Sequence, residues 1–411
     1  MLFEPYPDEY NRINLLKKFI SNNYSIIRLT ETMIKKNNID ANYFLRSLLK
    51  RNNIVDYTTL LNGGKNGIKC PVILYSRDNN FSTTINFYKV NGKRSDPRFG
   101  LYGINKMNKE NILGAGDLLV LVPFTNNGKP IIYIFNVSHD LPTQNQLPSS
   151  FKLNPSQQLL KRIFPKIKKI AQQGYHPNSK GTGKISPKDA GDTLEFLLNI
   201  ETNNRKNADI NGLIELKSKK SAGLETLFTL RPNFDGTPVA EIEPKDRSRV
   251  SAYTRLYGYL SDKHPNAKSL YVTIKSKPNP QGLYLKVNES DEIVEIRKYS
   301  NNKDTLTAYW KFTDLEKQLK LKHPMTLWFD VKSRMTNNLG EFLYPSVQIT
   351  QTPSFETFIS LIRSGIISYD WRGYTSISGK YAGKNHGNAW RIEKNSIPLL
   401  FGNSETIDLL N

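Results

Sequence analysis

At 411 residues the chain exceeds what one hydrophobic core usually organises, about 250–300 residues, so two domains are expected. Hydrophobic residues at 38% and aromatics at 11% exclude a disordered chain, and the lack of any apolar run of about 18 residues excludes a membrane-spanning helix. One cysteine, Cys70, excludes a disulfide framework and a cysteine zinc site, while a net charge of +21 spread over both halves points to a nucleic acid, bound through its phosphates.

The first residues carry acids and prolines where a secretory signal needs a basic start and an apolar stretch, so a cytoplasmic location and no membrane partner are expected. Residues 10–50 show helical spacing (Ile13, Leu16, Phe19, Ile20; Phe44, Leu48, Leu49). Short apolar runs then take over at Pro71–Tyr75, Phe81–Val90, Leu118–Val122 and Ile131–Phe135, predicting a helix followed by a mostly β unit, a small barrel, over 1–140. Residues 141–150, with two prolines and no apolar period, are expected to be a linker.

A second domain, α/β or α+β, is expected over 151–411. Its predicted elements are helices near 156–171 and 187–199 and strands near 209–218, 269–275 and 282–287. The Gly174–Lys184 segment lacks the spacing of a nucleotide phosphate loop, so no nucleotide cofactor is expected and a flexible loop tracking a nucleic-acid backbone is. Ser186-Pro-Lys-Asp189 reads as a capping box with proline at the first helical position.

The chemistry concentrates in Ala208-Asp-Ile-Asn-Gly-Leu-Ile-Glu-Leu-Lys217. Read as one strand, Asp209, Glu215 and Lys217 share a face opposite Ile210, Ile214 and Leu216. Phosphodiester hydrolysis needs a cation to neutralise developing charge and acidify water, and two carboxylates on one face can hold it, with the Leu216 carbonyl as a further ligand. The five histidines lack the close spacing of a helical metal motif, so a hard cation, Mg2+, is expected at Asp209, Glu215 and Leu216. Lys217 would orient the water or stabilise charge, and Glu195 would serve as an auxiliary carboxylate.

Taken in order, Gly191-Asp-Thr-Leu-Glu195, Ala208-Asp209, Ile214-Glu-Leu-Lys217, Thr226-Leu-Phe-Thr229, Asp370-Trp-Arg372 and His386-Gly-Asn-Ala-Trp-Arg-Ile392 resemble the PD-(D/E)xK restriction endonucleases of the MvaI/BcnI group over about 160–411. Ala208 stands where that superfamily has proline, but the chemistry needs only the carboxylate that follows. The resemblance implies a monomeric type II enzyme that cuts double-stranded DNA at a short site resembling CCWGG or CCSGG. It also implies base recognition by Asp370, Arg372, His386 and Arg391; arginine can grip guanine O6 and N7 with both arms of its fork.

Upstream, Asn62-Gly-Gly-Lys-Asn-Gly67, Lys93-Arg-Ser-Asp-Pro-Arg-Phe-Gly100 and Gly116-Asp-Leu-Leu-Val-Leu-Val122 resemble the DNA-binding pseudobarrel of plant transcription factors and of EcoRII-type effector domains, over about 45–140. That resemblance implies DNA contacts by Lys65, Asn66, Lys93, Arg94 and Arg98, and a type IIE-like enzyme engaging two copies of its site. One other reading stays open at this level, a non-catalytic, repressor-like DNA-binding protein; a nuclease of the His-Asn-His type would rest on Asn385-His386, but no second suitably placed histidine follows.

Overall fold

The computed structural model describes residues 5–20, 23–77, 79–92, 95–126, 128–142, 146–148, 151–186, 188–200, 207–219, 223–402, 404 and 406–411. The chain divides into two compact units, Met1–Gln158 and Leu159–Asn411. Among the described residues no helix is long and apolar enough to cross a membrane.

The first unit is built on a seven-stranded mixed sheet in the order Ser25–Arg28, Leu118–Asn126, Lys129–Asn136, Ile68–Ser76, Asn79–Lys89, Pro97–Leu101, Ile39–Asp40. Among the described residues, Ile68–Ser76 and Lys129–Asn136 pair in parallel, and an isolated parallel bridge joins Asn62 to Lys89. The sheet buries both faces, which is why Leu118–Val122 is a continuous apolar run. Leu119 and Leu121 join one core with Leu45, Leu48, Leu49, Val72, Phe87 and Phe99, and Leu118, Val120 and Val122 join another with Ile13, Leu16 and Phe135. The stretch expected to be helical over 10–50 is instead three helices (Pro7–Ile20, Glu31–Lys36, Tyr43–Arg51) separated by the short strands Ser25–Arg28 and Ile39–Asp40. Thr30 and Asn42 cap the second and third of these helices, respectively, through their side chains, each accepting a backbone N–H three residues on.

The division falls after the stretch expected as a linker, because Leu141, Leu147 and Phe151 pack into the first unit's core. Phe151 lies between 5.1 and 6.0 Å, centroid to centroid, from the rings of Phe124, Tyr133 and Phe135.

In the second unit, Leu339–Gln351 and Met325–Thr336 form a long hairpin flanked by Thr406–Asp408, His176–Thr182 and Glu215–Lys219, the last pairing in parallel with Met325–Thr336. Helices Pro155–Gln172 and Asp189–Leu197 supply Ile167, Ile170, Ala190 and Leu194 to a core shared with Ile214, Leu327, Phe329 and Phe342. A six-stranded sheet runs Leu224–Phe228, Ala389–Glu393, Ile367–Ser376, His264–Ile274, Tyr259–Ser261, with Gly383–Asn385 beside Ile367–Ser376. A three-stranded meander covers Leu283–Lys311.

Two expectations need correction. The strand expected over 209–218 begins only at Glu215. Asn211 and Gly212 have φ of 53° and 68°, the Leu213 N–H donates to the Ile210 carbonyl at 2.8 Å, and Ile210 pairs with Ile214, the pattern of a type I′ turn. The loop expected over 174–184 is largely the strand His176–Thr182, whose buried His176 ring bonds the Ile170 carbonyl at 2.7 Å.

Candidate active site and base-reading face

The type I′ turn folds Asp209 back beside the strand that follows it. The Leu216 N–H donates to Asp209 Oδ2 at 2.8 Å, which places that carboxylate next to Glu215. Along the strand, Ile214 and Leu216 face the core while Glu215 and Lys217 share the opposite face, with Lys217 Nζ 3.0 Å from Glu215 Oε1. Glu215 is 1% exposed, and its Oε2 has no aligned hydrogen-bond donor although Lys322 Nζ stands 2.9 Å away.

Burial raises the Asp209 carboxyl above its ordinary range, and the neighbouring Glu215 charge adds to the rise. Burial pulls the Lys217 ammonium down, but Glu215 and Asp209 together outweigh it, so its pKa ends above the ordinary lysine value and it stays charged. The half-buried Glu195, on helix Asp189–Leu197, is pushed up to about 7 by desolvation and then by the charges of Asp209, Asp192 and Glu215. The helix begins at Asp189, with Lys188 in the N-cap position and no side-chain capping bond, so the expected capping box does not start it at Ser186; the Asp189 carboxylate does accept the Ser186 N–H at 2.7 Å, and Pro187 lies outside the described residues.

Two neighbours escaped the sequence reading. Lys322 ends helix Phe312–Lys322, and its Nζ is also 3.7 Å from Asp209 Oδ1. The fully buried His323 ring lies 2.9 Å from the Thr326 hydroxyl through Nδ1 and 2.9 Å from the Leu227 carbonyl through Nε2. Burial lowers the His323 pKa to about 3, so the ring is neutral. It ties the Leu224–Phe228 strand to the chain entering Met325–Thr336, whose Thr326 pairs with Glu215. Asn211-Gly212 was a readable signal for the turn; a lysine in the Lys-rich Leu319–Lys322 segment carries no comparable signal.

Of the four residues expected to read bases, three side chains meet at one point, and the fourth, His386, lies next to them, its backbone N–H donating to the Arg372 carbonyl at 2.8 Å. The pairings Thr273 with Asp370, Tyr271 with Arg372 and Ser368 with Arg391 put these side chains on one face of the six-stranded sheet. Its other face carries buried Tyr369, Trp371, Trp390 and Ile392. Asp370 is 0% exposed: Arg372 Nη2 donates to its Oδ2 at 2.7 Å, Arg391 Nε is 2.8 Å from the same oxygen, and the Thr273 hydroxyl donates to Oδ1 at 2.6 Å. Asp370 thus lies beneath the two arginines, buried and paired with them, where it can orient their guanidiniums. His386 is exposed, 5.9 and 6.4 Å from the rings of Tyr271 and Tyr374.

In the first unit, Lys65 and Asn66 are exposed on a 3-10 turn, Gly64–Asn66. The Asn62 amide donates to Ser95 Oγ at 2.7 Å and the Gly63 N–H to the Lys89 carbonyl at 2.7 Å, so the two glycine and basic arms lie side by side. Arg98 is paired with Asp40 and lies 3.8 Å from Asp96. Lys93 and Arg94 lie outside the described residues.

No curated protein matches the chain. Among solved structures, the restriction endonuclease MvaI in complex with cognate DNA aligns with a TM-score of 0.48 and 21% identity, covering 63% of this chain and 100% of that one. MvaI in the absence of DNA aligns with a TM-score of 0.38 and 22% identity, over 62% and 99%. The MvaI/BcnI restriction endonuclease family matches residues 164–401, more than half of the sequence, so the chain belongs to that family and is a site-specific DNA endonuclease.

Proposed function

We propose that the protein is a monomeric, magnesium-dependent, type IIE-like restriction enzyme of the cytoplasm that cleaves double-stranded DNA at a short G·C-rich site resembling CCWGG or CCSGG. The observation that carries this reading is the convergence of Asp209, Glu215 and Lys217 around a buried carboxylate oxygen without an aligned donor. Among the described residues no three His, Cys, Asp or Glu side chains cluster as a complete ligand set. The fit is therefore to a hard cation that keeps water and substrate oxygens in its shell, with Asp209, Glu215 and the Leu216 carbonyl as its protein ligands. When bound, that ion neutralises charge on the phosphate and lowers the pKa of a water.

The chain's own groups do the rest. Lys217, permanently charged and 20% exposed, supplies a fixed positive charge for the scissile phosphate. Glu195, with a carboxyl near 7, is tuned to take a proton at neutral pH. Arg372 and Arg391, 40% and 25% exposed, offer donors aimed by Asp370 for guanine edges, with His386 beside them. In the first unit, Lys65, Asn66, Lys93, Arg94 and Arg98 form the DNA contacts of a pseudobarrel effector domain over 1–140, joined through 141–150 to the catalytic domain, an arrangement resembling the enzyme UbaLAI. One molecule then engages two site copies.

Digestion of a one-site plasmid with Mg2+, with and without an added short duplex carrying the site, tests this. Discrete ends at one sequence and a rate that responds to the duplex are expected. A protein that binds without cutting in Mg2+ is a repressor-like binder and refutes the reading.

A further inference from the structure

Resting on the reading of Asp209 and Glu215 as cation ligands, we infer that Lys322 is a tethered counter-ion that competes with the divalent cation for this carboxylate pair and swings out when the cation binds. Two neighbouring carboxylates, one fully buried and the other partly, repel each other unless a positive charge lies between them. Lys322 supplies it: its Nζ is 2.9 Å from Glu215 Oε2 and 3.7 Å from Asp209 Oδ1, bridging the two acids, whereas Lys217 holds the other Glu215 oxygen at 3.0 Å.

Its backbone is anchored. The Ala208 N–H donates to the Leu321 carbonyl at 3.1 Å, and the next residue, His323, is locked by bonds to Thr326 and Leu227. Its head is not: the ammonium lacks hydrogen-bond alignment with Oε2, keeps a weak 3.5 Å contact to the Asn207 carbonyl, and the side chain is 19% exposed. A compact charge on four rotatable carbons can leave such a site with no movement of the main chain. With Lys217, Lys322 thus balances the charge of the two carboxylates without metal and sets a threshold that the cation must overcome.

Calcium titration of the DNA-free full chain by calorimetry tests the competition. Lys322→Met should bind Ca2+ roughly tenfold more tightly than the unaltered protein, the order expected for removing one partly screened charge contact, and Lys322→Arg should stay near the unaltered value. Equal or weaker binding by Lys322→Met overturns the inference. A second measurement needs no substitution: amine acetylation followed by mass spectrometry should show Lys322 protected without metal and labelled faster with Ca2+, and unchanged labelling also overturns it. Asp209→Ala separates the two levels. Loss of Ca2+ binding in Asp209→Ala with no gain in Lys322→Met defeats only the Lys322 inference, whereas undiminished binding in Asp209→Ala defeats the cation-site reading on which it rests.

Discussion

The second unit holds two buried carboxylates that are each flanked by two cations, and they are built for opposite ends. Asp370 is closed off: Oδ1 accepts from Thr273 and Oδ2 from Arg372, with Arg391 Nε 2.8 Å from Oδ2 but not aligned for a bond, and both cationic partners are guanidiniums of fixed shape. Glu215 is left open: one oxygen holds Lys217, the other has a nearby ammonium without alignment, and both partners are flexible lysines. The contrast teaches that a carboxylate paired by arginines positions its partners, whereas one paired by lysines keeps a place that another cation can take. His323 links the two sheets that carry these centres, bonding a carbonyl on one and a hydroxyl at the start of the other.

Removing the fixed charge at the open centre should have the largest effect. Lys217→Ala is expected to reduce single-turnover cleavage by orders of magnitude, since charge stabilisation in a partly dry site is among the largest catalytic terms. Near-normal rates would erase the distinction between Lys217 and Lys322.

At the closed centre smaller losses are expected, of a different kind. Arg372→Ala or Arg391→Ala should each cost about 1–3 kcal/mol of discrimination at one guanine, and Asp370→Asn should weaken discrimination at both positions together because it releases both guanidiniums. Competition binding against single-base variants of the site reads this. A uniform loss across all sequences would make the arginines phosphate contacts and end the comparison as drawn.

The smallest effect is on stability. Because the Glu195 carboxyl sits at about 7 in the folded protein against an ordinary 4.5, the folded state keeps a proton that the unfolded chain releases. Stability from this group is intact below about 4.5 and falls as pH rises towards 7. Glu195→Gln should flatten that decline, by about 2–4 °C in Tm, the shift that about 1 kcal/mol makes after screening at a half-buried site. An unchanged pH profile would show that the carboxyl is not held protonated.

How far these centres could be read from the sequence depends on distance along the chain. Asp209, Glu215 and Lys217 lie close in sequence, but one continuous strand would set Asp209 about 20 Å from Glu215; the Asn211-Gly212 turn is what brings them together. Arg372 and Asp370 are two residues apart on a strand, which fixes their shared face but not that Asp370 is buried beneath Arg391; that follows from pairing Ser368 with Arg391. Lys322 and His323 reach the site only because Met325–Thr336 lies parallel to Glu215–Lys219, a non-local pairing that no local pattern announces. The same limit hid the strand His176–Thr182, whose polar, glycine-bearing sequence acquires its structure from the edge of Leu339–Gln351.

The most direct test of the account follows binding and cleavage of one duplex by Asp209→Ala in parallel. The carboxylate is needed at the open centre and touches nothing at the closed one, so specific binding should stay within a few-fold of the unaltered protein while cleavage in Mg2+ falls by orders of magnitude. Near-normal cutting by Asp209→Ala, or loss of binding in step with loss of cutting, would contradict it.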